Sequence, residues 1–155
     1  MEEPGHTPAK PPRRKANRLD GKRWIQNSIS VWGDIRKSAD ELKFKHPAMF
    51  PGQLVERLID SFLPPEGRVV FDPFSGSGST VCAATRMGLQ GIGLELSSEY
   101  VQLGRDRILQ ISPATGSQIH LGSAAEMSRY VAPDSIDLCI TSPPYWNILN
   151  QKRTA

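Results

Sequence analysis

Cysteine is scarce in this chain, and long apolar runs are absent. Only two of the 155 residues are cysteine, and both Cys82 and Cys139 stand in apolar surroundings that predict small buried side chains in a reducing compartment. No spacing of possible ligands suggests a metal site, so none is expected. The apolar runs fall short of the roughly 18–20 residues that a membrane-spanning helix needs. The first residues also lack the apolar core of a secretory signal, and we therefore expect a cytoplasmic location without a membrane partner.

Positive charge is concentrated at the start of the chain. Residues 1–23 carry seven Lys/Arg and three Asp/Glu, whereas the remaining residues carry twelve and thirteen. The first twenty residues are also rich in proline and poor in large apolar side chains. We expect residues 1–22 to form a disordered basic tail and residues 23–155 to form one domain. Such a tail is either a solvated terminus or a source of non-specific attraction to nucleic-acid phosphates.

Strand and helix patterns alternate through the rest of the chain. Residues 24–31 are expected to dock or to form a short strand. The apolar spacing and the turn residues predict helices over 53–62, 79–87, 98–110 and near 124–130, and strands over 68–71, 91–94, 118–121 and 136–141. This alternation predicts an α/β fold with a Rossmann-like, doubly wound parallel sheet of about four strands.

A loop with two glycines follows the first predicted strand. Residues 71–80 read Phe-Asp-Pro-Phe-Ser-Gly-Ser-Gly-Ser-Thr, and Gly76 and Gly78 allow the backbone to approach a ligand closely. Glu95 ends the second predicted strand, where its carboxylate can accept hydrogen bonds from both ribose hydroxyls of a nucleoside cofactor. An NAD site has the same layout, but Val81 stands where the dinucleotide fingerprint has its third glycine.

A second loop follows the fourth predicted strand, where residues 141–146 read Thr-Ser-Pro-Pro-Tyr-Trp. The hydroxyl of Ser142 and the backbone carbonyl of Pro143 can accept the two hydrogens of an amine, which turns the nitrogen lone pair toward an electrophile. The two prolines fix φ and stiffen the loop. Tyr145 and Trp146 offer an aromatic face on which a nucleic-acid base can stack.

The two loops together resemble those of the S-adenosylmethionine-dependent amino-methyltransferases of DNA, and the resemblance covers roughly residues 44–148. It implies methyl transfer from S-adenosyl-L-methionine to a base that is flipped out of double-stranded DNA. By this resemblance the cofactor is held by Asp72, Pro73, Phe74, Gly76, Gly78, Glu95 and Ser123. The implied catalytic residues are Ser142, Pro143, Pro144 and Tyr145, with Tyr145 and Trp146 stacking on the base. Ser123 is a departure, because the family often has an aspartate there that faces the adenine.

The target base is inferred from the amino-acid sequence of the second loop. Ser-Pro-Pro-Tyr is commoner among the enzymes that act on N4 of cytosine, and Asp-Pro-Pro-Tyr among those that act on N6 of adenine. We therefore expect site-specific methylation of cytosine N4 in a restriction-modification system. The alternatives are methylation of adenine N6, methylation of RNA or a protein amide, and a subunit that binds S-adenosylmethionine without catalysing transfer.

The resemblance predicts a sheet with more strands than this sequence supplies. Family sheets usually have seven strands, and only about ten residues follow Pro144. No target-recognition region is recognisable. We expect a fragment, a split subunit or a remnant whose missing half of the sheet and recognition region would come from a complementing polypeptide.

Overall fold

The computed structural model describes residues 15–43 and 49–144. Its helices are α1 (Gly21–Asn27), α2 (Ala39–Lys43), α3 (Gly52–Phe62), α4 (Ser79–Arg86) and α5 (Ser98–Ile111), and its strands are β1 (Val69–Asp72), β2 (Gln90–Glu95), β3 (Gln118–Leu121) and β4 (Leu138–Cys139). Short 3-10 turns cover Pro113–Thr115 and Ala124–Arg129. Across the two described ranges, every helix is too short or too polar to cross a bilayer.

The four strands form one parallel sheet with the order β3-β2-β1-β4. The chain proceeds from β1 through β2 to β3 in one direction and then returns to place β4 on the other side of β1. The predicted Rossmann-like α/β sheet is thereby confirmed. Ligands of such sheets bind outside the carboxyl ends of the strands where the order reverses, which here is the gap between β1 and β4.

The core between the helices and the sheet forms two clusters. The first joins Val55 and Ile59 of α3, and Leu63 directly after it, to Val70 and Ala83. The second joins α4 and α5 to Ile119 of β3. Glycines in β2 allow α4 to lie close to the sheet, since a Cβ on Gly91 would come within 2.9 Å of the Cα of Val81. This close packing fixes the start of α4, and with it the loop that precedes the helix.

The two cysteines differ in burial. Cys82 is buried in the second cluster, as predicted. The prediction for Cys139 is wrong, because this residue is exposed. The reason is its place on β4, which pairs only with β1 among the described residues and so has little cover.

The segment before α3 is more ordered than its composition predicts. Residues 24–31 do not form a strand; α1 covers part of them, and the Asp20 side chain caps it by accepting a 2.8 Å hydrogen bond from the Arg23 backbone N–H. The last part of the predicted tail contacts the domain, since Leu19 is buried and the Asn17 side chain donates to the Ser61 carbonyl at 3.0 Å. Residues 1–14 lie outside the described residues.

Candidate functional site

A cavity of about 770 Å³ opens at the carboxyl ends of the strands. Its lining comes from the loops after all four strands: Pro73, Phe74 and Gly76 after β1, residues 94–97 and Tyr100 around the end of β2, residues 122–125 after β3, and Ser142 and Pro144 after β4. The volume is in the range of small-molecule sites. The two loops singled out in the sequence therefore face one space.

The glycine loop turns sharply between β1 and α4. Gly76 and Gly78 have φ values of 53° and 83°, which belong to the left-handed region that glycine adopts without steric cost. Gly76 lines the cavity, but Gly78 faces the core: a Cβ there would lie 2.7 Å from Cδ1 of Ile119. Gly78 thus lets the loop pack against β3 and α5, and its expected place beside the cofactor stays a prediction.

Glu95 holds two chain segments at the edge of the cavity. One carboxylate oxygen accepts the Gly76 N–H at 2.9 Å, and the other accepts the Ser97 N–H at 2.8 Å. The Glu95 backbone carbonyl accepts the Gly122 N–H at 2.9 Å and so joins the third loop to the second. Each carboxylate oxygen has a second lone pair, so Glu95 can still accept hydrogen bonds from a ligand.

Asp72 lies behind the cavity wall and does not line it. Its side chain is 1% exposed, and one carboxylate oxygen accepts the Thr141 hydroxyl at 2.7 Å and the Phe74 N–H at 3.0 Å. Burial raises the pKa of this carboxyl, while hydrogen bonds from Thr141 and Phe74 act in the opposite direction. Asp72 therefore joins the two loops, and its expected contact with a cofactor stays a prediction.

The loop after β4 brings some of its predicted residues to the cavity. Ser142 and Pro144 line it, whereas Pro143 is exposed and is not part of the lining. Tyr145 and Trp146 lie outside the described residues. The loop starts from a short strand, whose last main-chain hydrogen bond to β1 in the described range runs from Ile140 N to Phe71 O at 3.0 Å.

Ser123 lies on the wall opposite the glycine loop. Its hydroxyl oxygen accepts the Ala125 N–H at 3.2 Å and caps the following 3-10 turn, which leaves its proton free to be donated. The preceding Gly122 packs on Tyr130, since a Cβ on this glycine would come within 2.4 Å of the Tyr130 hydroxyl oxygen. In the sequence Gly122 stands with Ser123 where the family often has Gly-Asp, and a glycine directly after a strand is a local sign of such close packing.

Helix α5 supports the glycine loop from behind. The Arg107 guanidinium is buried and donates a hydrogen bond to the Ser77 carbonyl at 2.5 Å. Gly104 lies one turn earlier, where a Cβ would be 2.4 Å from Cδ1 of Ile119. Sequence reasoning missed both residues, because a glycine and an arginine inside a helix give no local sign of a loop packed against them.

Comparison with known proteins shows that this chain resembles DNA methylases over much of its length. A family model described as DNA methylase matches residues 5–106. The chain is 41% identical over 84 residues to the orphan methyltransferase M.BamHII of Bacillus amyloliquefaciens, an alignment that covers 52% of this chain and 31% of that protein. It is 38% identical over 81 residues to the DNA adenine methyltransferase YhdJ of Escherichia coli, covering 51% and 27%.

A solved structure extends the similarity to the fold. The protein TTHA0409 of Thermus thermophilus, complexed with S-adenosyl-L-methionine, is 31% identical, with a TM-score of 0.51 and coverage of 77% of this chain and 45% of that one. The match thus extends over most of this chain but under half of TTHA0409, and the chain spans less than a third of the two curated relatives.

Proposed function

This chain belongs to the family of N6/N4 DNA methylases, and on that premise we propose that it transfers a methyl group from S-adenosyl-L-methionine to an exocyclic amine of double-stranded DNA, with N4 of cytosine as the favoured target. One observation carries the proposal: a single cavity is lined by Gly76 and Glu95 on one side and by Ser142 on another. A cofactor held by the first loop and an amine held by the second would meet in that space.

The cavity has features that suit this cofactor. Glu95 presents a carboxylate held by two backbone N–H groups, which suits the two hydroxyls of a ribose. Ser123 presents a hydroxyl toward the adenine side, and Phe74, which is 42% exposed, offers an aromatic face at the cavity. When bound, S-adenosylmethionine supplies an electrophilic methyl group on a positively charged sulfur.

The chain's own contribution to transfer is orientation of the amine. The lone pair of an exocyclic base amine is delocalised into the ring, so the amine is a weak nucleophile until its hydrogens are held out of the ring plane. We assign the two acceptor positions to the Ser142 hydroxyl and the Pro143 carbonyl, with Tyr145 and Trp146 stacking on the flipped base. Positioning and fixed hydrogen-bond acceptors then lower the barrier, while stacking offsets part of the cost of unstacking the base, which is a few kcal/mol.

Adenine N6 is the second candidate target. The observation that favours it is the similarity to YhdJ, a protein named as a DNA adenine methyltransferase. Ser142 favours cytosine instead, because adenine enzymes more often carry a carboxylate at this position. The same two-acceptor geometry serves either amine.

We further propose that a complementing polypeptide supplies the rest of the sheet and the region that reads the DNA sequence. The relatives named above extend well beyond the matched region, and β4 pairs on one side only within the described part of the chain. The completed protein would act in the cytoplasm as the modification half of a restriction-modification system. Without that completion, the chain is a module that binds the cofactor.

Mass spectrometry of nucleosides tests the proposal. The chain is incubated with mixed-sequence double-stranded DNA and cofactor carrying a deuterated methyl group, alone and with a complementing polypeptide, and the digested DNA is analysed. We expect labelled N4-methylcytosine in the completed enzyme. Labelled N6-methyladenine would refute the cytosine assignment alone, and 5-methylcytosine would also refute the role given to the second loop.

Two variants show whether the second loop acts in the chemical step. Ser142→Ala removes an acceptor that is used in the transition state, so kcat should fall while cofactor affinity stays nearly intact. Ser30→Ala removes an exposed hydroxyl that is not part of the cavity lining and serves as the matched control. Equal rates in the two variants would contradict the role of Ser142.

A further inference from the structure

A pair of side chains joins the glycine loop to the loop after β4. The Thr141 hydroxyl donates to one carboxylate oxygen of Asp72 at 2.7 Å, and the same oxygen accepts the Phe74 N–H at 3.0 Å. Phe74 lines the cavity from one loop, and Ser142, the residue after Thr141, lines it from the other. A single oxygen atom thus connects the Phe74 backbone of one loop to the Thr141 side chain of the other.

Main-chain pairing does little to hold the second loop. Only Leu138 and Cys139 of β4 are in register with β1. Beyond them, Ile140 N donates to Phe71 O at 3.0 Å, and the Thr80 hydroxyl donates to Ile140 O at 3.3 Å. The hydrogen bond from the Thr141 side chain to Asp72, at the end of β1, follows one residue later and directly precedes Ser142.

Burial raises the pKa of Asp72 and disfavours its ionised form, whereas the Thr141 and Phe74 donors favour that form. The side chain is 1% exposed, so its charge depends on donors in place of water. Within residues 15–43 and 49–144, the titratable groups that act on Asp72 include no cation: Glu95 disfavours the charged form of Asp72, and the pKa of the Cys139 thiol is raised by burial and then by Asp72. Hydroxyl and N–H donors from both loops are what stabilise the carboxylate.

We propose that Asp72 and Thr141 are positioning residues that lock the glycine loop and the Ser142 loop into one relative geometry, and that Asp72 acts through Thr141 and Phe74 rather than by touching the cofactor. The inference rests on the proposed function of the cavity. Methyl transfer depends on the alignment of donor and acceptor within fractions of an ångström, so a rigid connection between the two loops affects the rate of the chemical step more than the binding of either ligand.

Three variants separate this role from direct cofactor binding. Thr141→Val keeps the side-chain shape but removes the donor, Thr141→Ser restores the hydroxyl, and Asp72→Asn keeps an acceptor oxygen without the charge. Thr115→Val is the control, because it also removes a threonine hydroxyl but in the 3-10 turn before β3.

The first measurement is a ¹³C NMR titration of the Asp72 carboxyl in the whole chain, together with hydrogen exchange of the Phe74 amide. Thr141→Val should raise the pKa of Asp72 and speed exchange at Phe74 about tenfold, and Thr141→Ser and Thr115→Val should behave like the unaltered chain. An unchanged Asp72 titration in Thr141→Val would overturn the proposal. This result does not depend on catalysis, so it stands apart from any failure of the methylation assay.

The second measurement is cofactor affinity and turnover. For Thr141→Val and Asp72→Asn, calorimetry should give a Kd for S-adenosylmethionine within about threefold of that of the unaltered chain. In the completed enzyme, kcat of both variants should fall at least tenfold, while KM for the cofactor hardly changes. Loss of cofactor binding in folded Asp72→Asn, as large as in Glu95→Ala, would show that Asp72 touches the cofactor and would refute the proposal. If the unaltered chain bound no cofactor, the function proposed above would fail instead, and the titration would still decide the role of Thr141.

Discussion

At the residue scale, polar side chains on this cavity both hold the backbone and face a ligand. Glu95 accepts hydrogen bonds from the N–H groups of Gly76 and Ser97, so the side chain that we propose for ribose binding is fixed by its own fold. Ser123 likewise caps a turn while lining the cavity. Such prior fixation lowers the entropy cost of binding.

Ser123 provides a test of the adenine side of the cavity. Ser123→Asp introduces the carboxylate that the family often carries there, and aspartate is also a good N-cap, so the turn at residues 124–129 should persist. A charge-assisted hydrogen bond should tighten S-adenosylmethionine binding by about 1.5 kcal/mol, roughly tenfold in Kd. Titration calorimetry measures the change, with Ser123→Asn as the neutral control; equal affinities for the two variants would place the adenine elsewhere.

The site was predictable from the sequence where its signal is local. Gly76, Glu95 and Ser142 were placed at strand ends from the patterns around them, and all three line the cavity. The positions of Asp72 and Gly78 were not predictable in this way. The surroundings of the Asp72 side chain and of the Gly78 backbone depend on Thr141 and Ile119, which lie tens of residues further along the chain.

At the element scale, β4 is held by side chains at both ends. Its two paired residues follow Asp137, whose carboxylate accepts the N–H groups of Arg68 and Val69 at 2.7 and 2.9 Å. These two hydrogen bonds lower the pKa of Asp137. Because the charged form is favoured by folding, the stabilisation is present above the unfolded pKa and is lost as the pH falls through the lowered folded pKa.

Asp137→Asn should therefore destabilise the protein in a pH-dependent way. At neutral pH we expect a loss on the order of 1 kcal/mol in the free energy of unfolding, a modest value because the site is exposed. The deficit should vanish in acid. Urea unfolding at pH 7 and pH 3 measures it, with Asp106→Asn on the exposed face of α5 as the control; a deficit independent of pH would contradict the assignment.

Helix α5 meets β3 and the glycine loop at Gly104, and this contact predicts a rescue. Gly104→Ala places a Cβ 2.4 Å from Cδ1 of Ile119 and 3.4 Å from the Ser77 carbonyl oxygen, and overpacking of this kind typically costs about 1–3 kcal/mol. Ile119→Val removes that Cδ1. The double variant should therefore be more stable than Gly104→Ala alone, as measured by thermal unfolding; additive losses would show that Ile119 is not the obstacle.

Helices were predicted best where apolar residues recur at helical spacing over the whole length of the helix. The helices at 53–62 and 98–110 were placed within one residue of α3 and α5 at each end. The segment at 24–31 was misjudged, because α1 has no buried residue and so lacks the pattern that identifies a helix. β4 is shorter than predicted, since its pairing depends on β1 and not on its own sequence.

At the scale of the whole molecule, the basic start of the chain predicts salt-dependent DNA binding. Two of these positive charges interact with the folded domain and are kept. The Arg18 guanidinium donates to the Gly67 carbonyl at 2.6 Å, and a guanidinium nitrogen of Arg23 lies 3.9 Å from a carboxylate oxygen of Asp60. The charges to be replaced by glutamine are Lys10, Arg13, Arg14, Lys15 and Lys22. Removal of each phosphate-binding charge should reduce the slope of log K against log salt by about 0.9. An unchanged slope in the folded variant would leave this segment as a solvated terminus.

Calorimetric titration of S-adenosylmethionine into the whole chain decides whether the cavity between the two loops binds this cofactor. We expect one bound molecule per chain, an affinity reduced by about 1.5–3 kcal/mol in Glu95→Ala, or roughly 10- to 150-fold, and no binding in Gly76→Val. Glu99→Ala, on the exposed face of α5, should bind like the unaltered chain. Unchanged affinity in folded Glu95→Ala and Gly76→Val, or no binding by the unaltered chain, would show that the cofactor does not bind in this cavity.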